Sequence, residues 1–164
     1  DDTLMLAFVK ELAKDGLEVF DQTALIRSLM PAPGVLTKRK PTPQEQQDME
    51  FGMKMAREIG RLDVGQTVVV KQQAVMALEA IEGTDACIRR GGELARGGAV
   101  VAKTAKPNQD LRFDVPAVGM KTMEIMVEVG ASALVIEAGR TLLVEKDKVI
   151  ALAEAHDITI VAME

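Results

Sequence analysis

Apolar side chains recur along this chain in two periods, and the period changes from one segment to the next. From Thr3 to Lys14, Leu4, Phe8 and Leu12 fall four residues apart with Val9 beside them, which predicts one apolar helix face. Gly16 ends that pattern, and Leu17 to Phe20 reads as a short strand. Residues 30–43 hold four of the six prolines together with Gly34 and the basic run Lys38-Arg39-Lys40, so a loop with a solvated basic tip is expected there. A second helix opens at Thr42, with Pro43 in the first turn and Glu45 completing a capping box, and runs to Ile59 before Gly60. Its stripe is Met49, Met53 and Ala56, joined by Phe51, Met55 and Ile59, and is expected to be core.

Thr67 to Lys71 predicts a strand, and Ala74 to Glu79 its hairpin partner across Gln72-Gln73. Downstream, helices are expected from about Asp85, Thr122 and Lys146, the last two ending near Val129 and His156. Strands are expected at Val100–Lys103, Ala133–Ile136, Thr141–Val144 and Ile158–Met163, with an alternating segment at Asp110–Val115. This alternation predicts an α/β layered fold with a mixed β-sheet flanked by helices. Residues 1–45 read as a first helix and loop leading into an α/β domain at 46–164.

Composition narrows the function classes. With 164 residues the chain can bury one ordinary core. Phe is the only aromatic, at 2 %, which removes the platforms on which nucleobases stack. A net charge of −5 likewise argues against a general nucleic-acid binder. One Cys and one His exclude a disulfide framework and multi-Cys or His-rich metal centres, and weaken any Ser–His or Cys–His nucleophile scheme. His156, near a helix end, is expected to be structural. Neither a Walker loop nor GxGxxG, GxSxG or HExxH can be read. No apolar run reaches the roughly 20 residues of a membrane span. The chain starts at Asp1 and runs straight into a helical pattern, so an excised part of a longer protein is expected.

Charge is distributed unevenly. Residues 85–114 carry six Lys or Arg against four Asp or Glu, whereas the remainder carries fourteen against twenty-one. A basic stretch in an acidic chain points to an anionic ligand on one surface. Thr84, expected as an N-cap after Gly83, would put free helix N–H groups beside it, where phosphate binds. Arg89 lies one turn from Asp85; a plain ion pair between them explains the spacing equally well. Lys103 closes an apolar strand and Lys106 follows it, placed for a phosphate or simply for solvent. Asp110, Arg112 and Asp114 alternate with Leu111, Phe113 and Val115, which would align the charges on one strand face. The two aspartates would then stand roughly 13 Å apart, too far for one metal ion, and an ordinary solvent-facing strand fits the same pattern. Together these residues point to phosphate chemistry run on carboxylates, Lys, Arg and Mg²⁺.

Four stretches carry a family likeness: EAIEGTD at 79–85 with Ile88-Arg89-Arg90, AKTAKP at 102–107, QDLRFDVP at 109–116 with Gly119, and IEAGRT at 136–141. Together they resemble the LpxI family, the UDP-2,3-diacylglucosamine diphosphatases of lipid A biosynthesis, over roughly the last two-thirds of the chain, from about Ala56. The resemblance implies a C-terminal catalytic α/β domain whose N-terminal partner domain is absent from this chain. It implies Mg²⁺-dependent hydrolysis of a glycolipid nucleotide's diphosphate to UMP and 2,3-diacylglucosamine 1-phosphate, in the cytoplasm. Peripheral contact with the inner membrane and a homo-oligomer are further expectations. By the R-x-D-[LV]-P motif, Asp114 is the residue on which catalysis depends. Asp85 would be a second base or metal candidate beside it, and Lys103 a catalytic cation. Thr84, Arg89, Lys106, Gln109 and Arg112 would bind substrate. Asp110 stands where other members can carry a different residue. The apolar side of the pocket, with the Met stripe as a contributor, is expected to take acyl chains. Two other readings stay open: a non-catalytic α/β domain holding an anion, and an interaction domain using Lys38 to Lys40.

Overall fold

A computed structural model describes residues 2–20, 23–107 and 115–164. The helices are α1 (Asp2–Lys14), α2 (Thr23–Ile26), α3 (Pro43–Arg61), α4 (Thr84–Ala95), α5 (Met120–Glu128) and α6 (Lys146–Ala155). The strands are β1 (Gly34–Val35), β2 (Thr67–Lys71), β3 (Ala74–Leu78), β4 (Val100–Lys103), β5 (Ala117–Val118), β6 (Ala133–Glu137), β7 (Leu142–Leu143) and β8 (Thr159–Met163). Six of them form a mixed sheet in the order β1-β8-β6-β4-β2-β3, with β4, β6 and β8 parallel and the others antiparallel to their neighbours.

Alternation along each strand divides the core into two layers. Val68, Val70, Val100, Ala102, Ala133 and Val135 face α3, where Met49, Met53 and Ala56 are buried against them. Val69, Val101, Leu134, Ile136 and Ile160 face the opposite layer, built from Cys87 and Ile88 of α4, Met123 and Met126 of α5, and Val149 of α6. The second layer requires close approach. A Cβ on Gly91 would stand 2.5 Å from Val69, and one on Gly92 2.4 Å from Val129. That explains this glycine pair as packing rather than phosphate binding.

The capping box of α3 forms as expected: Thr42 Oγ1 accepts from the Glu45 amide, and Glu45 accepts from the Thr42 amide. Asp48, buried in the same helix, accepts from the amides of Gln72 and Gln73 at 2.9 and 2.6 Å. Both glutamines have positive φ, which is why the tight β2–β3 hairpin needs this outside support.

Four expectations are corrected. Residues 17–20 form no strand, because no neighbouring strand pairs with them; Leu17 and Phe20 are exposed. The proline-rich loop contributes β1, which pairs with β8. Residues 142–143 pair with β5 in a separate two-stranded sheet. The basic run is a solvated tip only in part: Lys38 and Lys40 are exposed, whereas Arg39 clamps Glu45 with two bonds of 2.8 and 2.7 Å and also reaches the carbonyls of Ser132 and Asp157. An arginine spent in this way does not offer a partner-binding patch.

This clamp has a pH signature. Burial pushes the Glu45 carboxyl up, but the Arg39 guanidinium, the Thr42 amide and the Ser132 hydroxyl outweigh it and bring it down to about 2, from an ordinary 4.5. A lowered carboxyl stabilises the fold above its unfolded value and loses that contribution as pH falls through the folded one. Wild type should therefore exceed Glu45→Gln in denaturant midpoint at pH 7, with the gap closing as pH drops from 4.5 toward 2. A gap independent of pH would overturn this.

Candidate anion-binding site

The candidate site lies where β4 ends and α4 and α5 begin. Strand alternation carries Lys103 onto the α4–α5 face of the sheet, and neighbouring elements bury it to 6 % exposure. Its Nζ donates to Thr84 Oγ1 at 3.1 Å and to the Ala117 carbonyl at 3.0 Å. Thr84 Oγ1 in turn donates to Glu79 Oε1 at 3.1 Å, and the other oxygen of that carboxylate accepts from the Gln66 amide. Thr84 is thus not the N-cap expected from the sequence. Gly83 takes that place with φ 81°, a conformation that L side chains rarely adopt, and releases the Thr84 hydroxyl to orient Lys103.

Two helix N-termini meet at this lysine. Neither α4, after Gly83, nor α5, after Gly119, has a side-chain cap. Their first turns line a cavity of about 530 Å³ with Glu82, Gly83, Thr84, Asp85, Arg89, Lys103, Ala117, Lys121 and Thr122. A buried ammonium group and two helix N-termini without side-chain caps make an environment for an oxyanion.

The structure therefore brings Thr84, Asp85, Arg89 and Lys103 together. The Asp85–Arg89 ion pair, one of the two readings of their spacing, does not form. Arg89 pairs with Glu128 of α5 at 3.0 Å, and Asp85 with Lys121 at 2.7 Å, with Thr122 donating to its other oxygen at 3.3 Å. The reason is tertiary: α5 packs beside α4 and offers each side chain a partner that the sequence of α4 alone does not show. Lys121 and Thr122 are the cavity residues that sequence reasoning missed, since nothing near them hints that their helix starts at Lys103. Lys106 lines a different part of the surface and pairs with Asp63 at 2.6 Å. Gln109, Arg112 and Asp114 lie outside the described residues, as does Asp110.

Several chemistries can be judged here. Burial pushes the Cys87 thiol up to about 12, so it holds no thiolate to act as a nucleophile. Among the described residues no three His, Cys, Asp or Glu side chains group as metal ligands. Of the two described carboxylates that line the cavity, Asp85 already holds the Lys121 ammonium and Glu82 the Arg90 guanidinium. Of the two residues expected to hold Mg²⁺, Asp85 is engaged by Lys121 and Asp114 lies outside the described residues. The Met stripe is not open to acyl chains, because Met49 and Met53 are buried beneath the sheet. One described apolar hollow lies elsewhere, about 480 Å³ between Leu29, β7 and the first turn of α6. Among the described residues no helix is long and apolar enough to cross a membrane.

Comparison with known proteins decides the family. Residues 32–161 match the LpxI C-terminal domain. The chain belongs to the LpxI family. It is 39 % identical over 162 residues to the UDP-2,3-diacylglucosamine pyrophosphatase LpxI of Caulobacter vibrioides, covering 94 % of this chain and 58 % of that relative. The chain thus spans less than two-thirds of the relative's length, and the match is to a domain. This corrects the functional expectation in one respect. The complete Mg²⁺-dependent reaction, down to its two products, was assigned from the sequence to the protein containing this chain. The relative's name carries the pyrophosphatase class at family level, and the relative extends well beyond what is present here.

Proposed function

We propose that this chain is the phosphate-gripping domain of a UDP-2,3-diacylglucosamine pyrophosphatase, acting with the rest of a longer protein. The observation that carries this is the buried Lys103 ammonium at the meeting of two uncapped helix N-termini, in a chain of the LpxI family. An oxyanion in the cavity would receive the first-turn amides of α4 and α5 together with Lys103, with Arg89 and Lys121 at the rim in ion pairs with Glu128 and Asp85. Hydrolysis adds water across the phosphoric anhydride: a new P–O bond forms at one phosphorus, and the bridging oxygen leaves with the other. Fixed positive groups favour that step because negative charge builds on the leaving oxygen and the non-bridging oxygens.

Asp114 keeps its proposed role through the motif alone, as the residue that positions or activates the water. Gln109 and Arg112 remain proposed substrate contacts on the same ground. Mg²⁺ enters this proposal only as an ion accompanying the diphosphate, a mode in which phosphates supply much of the coordination. The apolar hollow beside β7 is one described surface that acyl chains could occupy. A cytoplasmic enzyme touching the inner membrane peripherally fits a lipid-linked substrate.

The test is phosphorus NMR of the longer protein with UDP-2,3-diacylglucosamine and Mg²⁺. The diphosphate signals should give way to two phosphomonoester signals, and Asp114→Asn should slow this at least a hundredfold. An intact diphosphate, or wild-type turnover by a folded Asp114→Asn protein, would refute the proposal. The non-catalytic alternative predicts binding without any loss of the diphosphate.

A further inference from the structure

A second cationic cluster sits at the same strand edge, on the face that α3 covers. Glu137, the last residue of β6, is 9 % exposed, and its Oε2 accepts from the Ala105 amide at 3.0 Å, two residues beyond Lys103. Its Oε1 faces two guanidinium groups, Arg57 Nη2 at 3.7 Å from α3 and Arg140 Nη1 at 3.8 Å from the turn after β6. Both distances exceed the 2.7–2.9 Å of a charge-assisted hydrogen bond. The contrast within this protein is the Arg39–Glu45 clamp, closed at 2.7 and 2.8 Å. Arg57 and Arg140 are also substantially open, at 43 % and 36 % side-chain exposure.

Three features separate this cluster from a structural ion pair. One anchored carboxylate stands against two guanidinium groups, which leaves an excess positive charge. The carboxylate holds both forks near each other without engaging either at bonding distance, a preorganisation that suits a planar, multidentate anion. The hydroxyls of Thr104 and Thr141, adjoining these turns, are buried and have no hydrogen-bond partner among the described residues. The cluster also lies beyond the carboxyl ends of parallel β4 and β6, where open α/β sheets receive ligands.

We infer that Arg57 and Arg140, held by Glu137, form a second anion subsite that takes a phosphate group, on the sheet face opposite to Lys103. The assignment of a phosphate rests on the function proposed above; the subsite itself rests on the arginine geometry.

The experiment is calorimetric titration of the longer protein with inorganic pyrophosphate, with thermal midpoints as a check of folding. Arg57→Gln and Arg140→Gln should each weaken binding about tenfold. Arg→Lys at either position should recover only part of the loss, because a point charge lacks the fork. Glu137→Gln keeps an acceptor for the Ala105 amide and removes the competing charge, so binding should tighten several-fold. A merely structural cluster predicts the opposite pattern: folded arginine variants that bind as wild type does, and a Glu137→Gln variant with a lowered midpoint and unchanged affinity. That pattern, or no pyrophosphate binding by wild type at millimolar concentration, overturns the subsite. Lys103→Met separates the two proposals. Loss of binding in Lys103→Met alone refutes the arginine subsite and leaves the cavity, whereas loss in the arginine variants alone refutes the cavity and leaves the subsite.

Discussion

Lys103→Met in the longer protein should lower kcat by about 10²–10³-fold, the cost of removing one preorganised donor to developing negative charge. Methionine fills similar space, so the β4 end should stay packed. Thr84 would keep its bond to Glu79 but lose the ammonium it now orients. The effect should fall mainly on kcat if Lys103 acts on charge that builds during the reaction, and mainly on KM if it only holds the ground-state phosphate. Lys103→Arg should rescue poorly, because a guanidinium is larger and the cavity wall at Ala117 and Thr84 is set for an ammonium. Steady-state kinetics with a circular-dichroism check of folding decides it. A folded Lys103→Met enzyme within threefold of wild type would remove Lys103 from the reaction.

The other large effect concerns stability. Asp48→Ala should cost about 2 kcal/mol, since one carboxylate supplies charge-assisted acceptors to both amides of the Gln72-Gln73 turn. In a chain of this size that corresponds to a fall of about 4–8 °C in thermal midpoint. Without Asp48 both turn amides lose their carboxylate acceptor while two non-glycine residues stay at φ 51° and 56°. Replacing Gln72-Gln73 by Asn-Gly supplies residues that accept this turn unaided, and should recover much of the loss in the Asp48→Ala background. A loss below 0.5 kcal/mol, or no rescue, would show that the turn holds itself. Turnover should be unchanged, because the turn lies at the end of β2 opposite to Thr67 and the cavity.

Legibility in the sequence followed the range of the interactions. The core strands and helices were readable because local pattern and tertiary demand coincide in them: β2 and β4 span the predicted residues, and the α3 capping box forms within four residues of chain. Residues 17–20 failed because strand propensity needs a neighbour to pair with, and none is there. At the site, Thr84, Asp85, Arg89 and Lys103 were readable as residue types suited to an anion, and all four line the cavity. Their partners were not. Thr84 looked like a cap because Ser and Thr before a helix usually cap it; here Gly83 caps, and a lysine nineteen residues away claims the hydroxyl. Lys121, Thr122 and the grouping of Arg57 with Arg140 depend on how α5 packs beside α4 and how α3 crosses the sheet edge, which no local spacing encodes.

By itself, then, the sequence determined a mixed α/β layer fold and a scarcity of His and Cys that moves the chemistry onto Lys, Arg and carboxylates. It also determined the motif likeness that places the chain among the LpxI proteins. Tertiary structure alone decided which charges meet. It turned Lys103 onto the face where α4 and α5 begin, and held the half-buried Arg39 in a clamp on Glu45. It also set two arginines around Glu137. The physical reason is that secondary structure follows from interactions a few residues apart, whereas an anion site is made by groups distant in sequence whose fields add only when packing brings them to one edge.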